Sequence, residues 1–183
     1  MSPAADVRNL LLRPMSLDDQ PQAVLAHEEL LRDEFMFLLE DFRADEPWAD
    51  YLARLERTRQ GIGLAADRVP ASFLSAHVDG SLVGRVSIRH ELNDYLAMWG
   101  GHIGYGVRPA FRRRGYATAI LRQSLVIARG LGISSALVVC DDDNTGSARV
   151  IEACGGVFDK VVAGENGVKD KRHYWIDTEV VAS

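Results

Sequence analysis

Apolar and polar residues alternate most clearly between residues 72 and 90. "SFLSAHV-DG-SLVGRVSIRH" is two alternating runs joined by Asp79-Gly80, a dipeptide suited to a type I′ hairpin. In the second run Leu82, Val86 and Ile88 alternate with Ser81, Arg85, Ser87 and Arg89. That pattern predicts a half-buried antiparallel strand. Upstream, "VRNLLLRP" predicts a strand ended by Pro14, and "SLDDQPQAVLAHEELLRDEFMFLLEDF" predicts one helix capped by Ser16 or Asp18. In that helix Val24, Leu31, Phe35, Leu38 and Phe42 recur near helical spacing. "ADEPWADYLARLERTRQG" predicts a second helix with Pro47 in its first turn and Gly61 after its end, and "GIGLAADRVP" a loop.

Downstream, "ELNDYLAMWGG" reads as a connection or short helical turn. "HIGYGVRP" reads as a strand with Ile103, Tyr105 and Val107 on one face. "RRGYATAILRQSLVIARGLG" predicts a helix, and "SSALVVC" a strand covered on both faces. "NTGSARVIEACGG" predicts a short helix. "VFDKVVA" and "DKRHYWIDTEV" form a closing hairpin around "GENG". The order β-α-α-β-β-β-α-β-α-β-β implies an α+β (mixed α/β) fold over residues 7–179, read as a single domain with no repeat or linker.

Composition adds limits. The 183 residues bury a full core, roughly 70% of the unfolded surface. A net charge of −5 and a pI near 5.5 argue against a general nucleic-acid or membrane-surface binder. With no signal-like N-terminus and no long apolar run, the expectation is a soluble, cytoplasmic protein. Cys140 and Cys154, the two cysteines, read as buried thiols rather than a disulfide.

Against this acidic background, "GYGVRPAFRRRGYATAIL" concentrates Arg108, Arg112, Arg113 and Arg114 between a strand and a helix. The first N–H groups of a helix lack internal partners, and the helix dipole adds positive charge there. Gly115 and the small Ala117 let a ligand approach the backbone. The turn therefore suits a pyrophosphate. Gly104 and Gly106, on the face opposite Tyr105 and Val107, point to a close backbone approach by an elongated ligand. No Gly-Lys-Ser/Thr follows, and the dinucleotide Gly-x-Gly-x-x-Gly pattern is absent at this turn.

The spacing Arg112-x-x-Gly115-x-Ala117 after Val107-Arg108-Pro109 resembles the pyrophosphate loop of the GNAT superfamily, the acetyl-coenzyme A dependent N-acetyltransferases. "DNTGSARVIEACGGVF" resembles a later block of the same family, with Asn144 and Ser147 at its start and Gly156-Val157-Phe158 at its end. "IRHELN", "GGHIGYGVRP" and "RRGYA" are similar to a bacterial branch of predicted acetyltransferases. The resemblance implies a mostly antiparallel central sheet of about seven strands flanked by about four helices. It implies acetyl-coenzyme A as co-substrate and no metal. The pantetheine arm would pair with Tyr105, Gly106 and Val107. The pyrophosphate would lie on the amides of Arg113, Arg114, Gly115, Tyr116, Ala117 and Thr118, with Arg112 beside them. Asn144 would bond the pantetheine or a water, with Ser147 close by.

The resemblance further implies transfer to a primary amine of a small molecule or peptide, by direct attack in a ternary complex. Many relatives carry a tyrosine seven residues after the asparagine as acid for the leaving thiolate; here that position is Ile151. The vacancy keeps open a non-catalytic acyl-coenzyme A sensor. For the base, His102 shares a strand face with Gly104 and Gly106, though a strand-end histidine also serves structure. His90, Glu91 and Tyr105 are the other candidates. Asp141, Asp142 and Asp143 read as a solvated loop rather than metal ligands. In the family the acceptor is bordered by the first two helices and the late hairpin. Here that border includes Asp33, Glu34, Glu40, Asp41, Asp45 and Glu46, with Trp48 and Tyr51. A homodimer is compatible with this reading.

Overall fold

The computed structural model describes residues 7–39 and 42–180. Glu40 and Asp41 lie outside the described residues. Seven strands form one sheet in the order β1-β2-β3-β4-β5-β7-β6. They are β1 (Leu11–Arg13), β2 (Ala71–Val78), β3 (Ser81–Arg89), β4 (Ile103–Val107), β5 (Ser135–Asp141), β6 (Val157–Val162) and β7 (Lys171–Asp177). Every neighbouring pair is antiparallel except β4 and β5. The four α-helices are α1 (Gln20–Leu31), α2 (Trp48–Gln60), α3 (Tyr116–Gly130) and α4 (Thr145–Ala153).

Each sheet face has its own core. On one, Ile120, Leu121 and Leu125 of α3 and Ile151 of α4 pack against Val86, Ile103, Val138 and Tyr174. On the other, Ala23, Ala26 and Leu30 of α1 and Trp48 and Tyr51 of α2 pack with Phe37, Leu38, Phe73 and Leu82. The fold is thus a sheet between two helical layers.

Two expectations need correction. The helix predicted over residues 16–42 stops at Leu31. Glu34 takes a left-handed backbone (φ 57°), and the N–H of Phe35 returns to the Leu30 carbonyl at 3.0 Å. The reversal sends Phe37 and Leu38, both fully buried, into the α1–α2 core. There the Leu38 N–H donates to His27 Nδ1 (3.2 Å) and the Leu39 N–H to the Tyr51 hydroxyl (3.3 Å). Burying two large side chains outweighs one strained residue. The buried stripe of α1 is Ala23, Ala26 and Leu30, while Leu31 is exposed.

The second correction concerns β3, which is buried on both faces rather than half-buried. Asp79 (φ 49°) and Gly80 (φ 80°) make the expected hairpin turn. Ala76 then faces Gly84 and His77 faces Leu82, which leaves Val83 as an extra residue. This bulge sends Leu82 to the α1–α2 core and Val83 to the α3–α4 core.

Candidate active site

β4 and β5 run parallel but share a single register pair, Ile103 with Val138. Just before it, His102 clasps Leu137 twice. The His102 N–H donates to the Leu137 carbonyl (2.7 Å), and the Leu137 N–H donates to His102 Nδ1 (2.9 Å). Beyond Ile103 the strands part, and a wedge opens toward their carboxyl ends. That is where ligands enter open sheets containing parallel strands.

The β3–β4 ladder sets which groups face the wedge. Arg89 N–H donates to the His102 carbonyl (2.7 Å), and Arg108 N–H to the Val83 carbonyl (2.9 Å). Hydrogen-bonded pairs alternate along an antiparallel ladder, so Gly104 and Gly106 spend their backbone groups on β3. Tyr105 and Val107 turn theirs toward the wedge. The Val107 carbonyl accepts from Arg112 Nε at 3.1 Å, which leaves its N–H on the open side.

The glycine face of β4 is filled. A Cβ on Gly106 would lie 2.5 Å from the Phe35 ring, and one on Gly104 would lie 3.0 Å from the Arg89 guanidinium. This face is therefore closed to a ligand arm, and of the expected contacts on β4 the strand edge alone stays open.

Past Val107 the chain reaches the predicted anion site. Arg113 (φ 60°) and Gly115 (φ 83°) are left-handed, and the Ala119 N–H makes the first helical bond to the Gly115 carbonyl (3.1 Å). The N–H groups of Tyr116, Ala117 and Thr118 therefore point out of α3 without a helical partner, and no side chain caps them. The four arginines divide their work. Arg108 is buried, forks onto Glu29 (2.8 and 2.9 Å) and donates to the Leu82 carbonyl, which pins α1 to the sheet. Arg112 pairs with Asp33 at 2.6 Å. Arg114 stands over the Phe111 ring, and Arg113 is exposed.

The start of α4 borders the same wedge. Asn144 caps it, with Oδ1 accepting from the Ser147 N–H (3.0 Å). Ser147 Oγ and the Tyr105 hydroxyl are 2.9 Å apart, a bridge from α4 to β4. Burial pushes the Tyr105 phenol well above its ordinary range, despite the opposing hydrogen bond from Ser147. Burial also pushes the nearby Cys140 thiol up, to about 11. Ile151 is wholly buried in the core.

The structure gathers Tyr105, Val107, Asn144, Ser147 and the α3 start around the wedge. Two of the other base candidates lie away from it, and His102 sits at its closed end with Nδ1 engaged. His90 bonds Ser72 on β2 (2.9 Å), which β3 and β4 separate from β5, and Glu91 is exposed in a bend. His102 holds its Nδ1 on Leu137, so the neutral ring carries its proton on Nε2. Burial, with Arg89 nearby, lowers its pKa and favours that neutral form.

The acidic border is also redistributed. Trp48 and Tyr51 are core residues, with Trp48 Nε1 donating to the Ser16 carbonyl (3.0 Å). Glu46 pairs with Arg54 (2.6 Å). Asp141, Asp142 and Asp143 pair one by one with Lys171, Arg172 and Lys169. Among the described residues no three His, Cys, Asp or Glu side chains gather as metal ligands would.

Sequence reasoning missed a cavity of about 360 Å³ lined by Tyr95, Trp99, Glu165, Val168 and Lys171. Trp99 belongs to a π-helical turn over Leu96–Gly100 and Tyr95 immediately precedes it; His173 Nε2 ties this turn to β7 through the Met98 carbonyl (2.8 Å). His173 and Lys171 share the sheet face opposite Tyr174, so the cavity lies on the α1–α2 side. Lys171 stands opposite Asp141 at the end of β5.

Residues 9–157 match the family described as the acetyltransferase (GNAT) domain. The chain belongs to this family. Membership assigns the class of chemistry, acetyl transfer from acetyl-coenzyme A. No curated protein matches the chain. Solved structures share the fold at low identity. A putative acetyltransferase, yncA, from Salmonella typhimurium, solved with acetyl-CoA, is 16% identical with a TM-score of 0.63, covering 96% of this chain and 97% of its own. Mycobacterium smegmatis RimJ, in complex with CoA-disulfide, is 20% identical with a TM-score of 0.67, covering 95% and 84%. The Salmonella typhimurium acetyltransferase that modifies the N-terminal serine of ribosomal protein L7/L12 is 17% identical with a TM-score of 0.66, covering 96% and 97%. No helix among the described residues is long and apolar enough to cross a membrane.

Proposed function

We propose that residues 7–179 act as one cytoplasmic N-acetyltransferase domain that moves an acetyl group from acetyl-coenzyme A to a primary amine by direct attack in a ternary complex. The observation that carries this reading is the wedge, with the edge of Tyr105 and the Val107 N–H on one side and, a short turn further along the chain, the unpaired amides of Tyr116, Ala117 and Thr118. The pantetheine adds to the β4 edge like a short strand. The pyrophosphate lies on the α3 amides, with Arg113 and Arg114 nearest in sequence. Asn144 uses Oδ1 as a cap, which leaves its amide nitrogen for the arm.

The amine enters from the α1–α2 face through the cavity of Tyr95, Trp99 and Glu165, where aromatic rings and a carboxylate suit a cation and the Lys171 ammonium, also in the lining, is paired with Asp141. Its nitrogen attacks the thioester carbonyl, the C–S bond breaks, and the amine proton leaves to water. Aligned reactants gain ~7–11 kcal/mol from positioning alone, so water suffices as base. Tyr105 takes the place left vacant at Ile151. Its phenol is less acidic than an ordinary thiol of pKa ~8.5. It therefore stays protonated and donates a hydrogen bond to the departing sulfur.

Ile151 is also the observation that favours a second reading, an acyl-coenzyme A sensor without turnover. Thiol release from acetyl-coenzyme A across a panel of primary amines separates the two. The cofactor assignment is tested by Gly115→Asp, which sets a carboxylate and a side chain at the left-handed helix start. Calorimetry is expected to show at least a tenfold loss of coenzyme A affinity in the folded variant. Unchanged affinity overturns the assignment.

A further inference from the structure

β6 ends the sheet as an edge strand of six residues, whereas the opposite edge, β1, has three. A long edge with apolar side chains is a template for pairing. Val157 is 70% exposed, Phe158 51% and Val161 44%. Asp159 and Lys160 lie between them and make no ion pair with another described residue.

The strand also carries a bulge. Phe158 faces Tyr174 and Lys160 faces His173, so Asp159 is the extra residue. With Asp159-Lys160 taken as one bulged position, the pattern of apolar and charged positions is the same in both directions, although Phe158 has Val161 as its counterpart. It runs Val157, Phe158, the charged pair, Val161, Val162. The faces agree as well. Val157 and Val162 stand opposite Trp175 and Lys171 on one face, and Phe158 and Val161 stand opposite Tyr174 and Arg172 on the other. Without the bulge, Val157 and Val162 would point to opposite faces.

We infer that β6 pairs antiparallel with β6 of a second copy of this chain, about a twofold axis through Asp159-Lys160. Val157 then meets the partner's Val162, and Phe158 meets the partner's Val161. Asp159 meets the partner's Lys160, and Lys160 the partner's Asp159. A twofold contact must be self-complementary, and this strand is so in shape of pattern and in charge. An unrelated strand would leave both charges facing unmatched neighbours and would meet the bulge out of register. The same two devices thus exclude strangers and admit a twin. A six-residue edge falls short of the ~1,000 Å² that a tight interface buries, so the dimer dissociates on dilution. The inference is independent of the acetyl-transfer reading.

Sedimentation velocity from about 5 to 200 µM on the full chain tests it. The wild-type chain is expected to shift from monomer to dimer across this range. D159K or K160D alone sets like charges against each other and is expected to weaken the dimer at least tenfold. The double variant D159K/K160D exchanges the charges and is expected to restore it. Both sites are exposed, and circular dichroism verifies that each variant is folded. A chain that stays monomeric at 200 µM overturns the inference. So does a dimer indifferent to the single reversals, or one that the double variant fails to restore.

Discussion

Arg85 illustrates what a single residue can hide. Alternation placed it on a solvent face, yet its guanidinium is buried between the Phe35 and Phe73 rings, 4.5 and 5.6 Å from their centroids. It donates to the carbonyls of Phe37, Gly104 and Met36. Burial, with help from Arg89, pushes its pKa down to about 9. One cation thus fastens the loop after α1 onto β4, which local pattern has no means to reveal. His102 is similar, since its backbone and ring both serve Leu137. His102→Gln is expected to cost about 1–2 kcal/mol of stability in denaturant melts. Its acetylation rate with a verified amine should stay within about threefold of wild type. A hundredfold loss of rate in the folded protein would return the base role to His102. Tyr105→Phe removes the hydroxyl that the proposed mechanism sets against the departing sulfur. Its kcat is expected to fall at least tenfold with coenzyme A affinity unchanged, because one lost hydrogen bond to developing charge costs that much or more. An unaffected kcat refutes that role.

At the scale of elements, the central hairpin and most helix limits were legible, and the end of α1 was not. The Asp79-Gly80 hairpin, the Pro47 and Gly61 limits of α2, and the glycine-bearing start of α3 each rest on local backbone chemistry, and each is present. The stop of α1 rests on the burial of Phe37 and Leu38 against distant residues, a tertiary gain that overrides helical periodicity. The wedge had no local signal at all, because it depends on where β5 leaves β4. The anchoring of β1 is another tertiary device. Asp19, just ahead of α1, forks onto Arg13 of β1 at 2.6 and 2.8 Å and also accepts from the Ser16 N–H. Burial pushes the Asp19 carboxyl up, but the Arg13 and Ser16 hydrogen bonds outweigh it and hold it at about 2. The folded pKa lies below the ordinary ~3.9 of the unfolded chain. The pair therefore stabilises fully above about pH 4 to 5 and loses that contribution as pH falls through about 2. With Arg13 partly exposed the amount is about 1–2 kcal/mol. Denaturant melts between about pH 6 and 2 are expected to show this loss in the wild-type chain and a smaller one in Asp19→Asn. Equal acid sensitivity of the two proteins would show that another carboxylate governs it.

At the scale of the molecule, the proposed function requires the wedge to be a passage through the sheet. Its amide end faces α3 and α4, and the cavity of Tyr95 and Trp99 opens on the side of α1 and α2. The proposed donor and acceptor then arrive by separate doors, and neither has to leave before the other enters. Initial rates measured against both substrates should give intersecting rather than parallel double-reciprocal lines. Desulfo-coenzyme A should compete with acetyl-coenzyme A while only lowering the maximal rate toward the amine. Parallel lines would instead mean that the acetyl group rests on the protein between two half-reactions. In the proposed function, a passage open at both ends leaves the order of arrival free, and it lets each product depart on its own side.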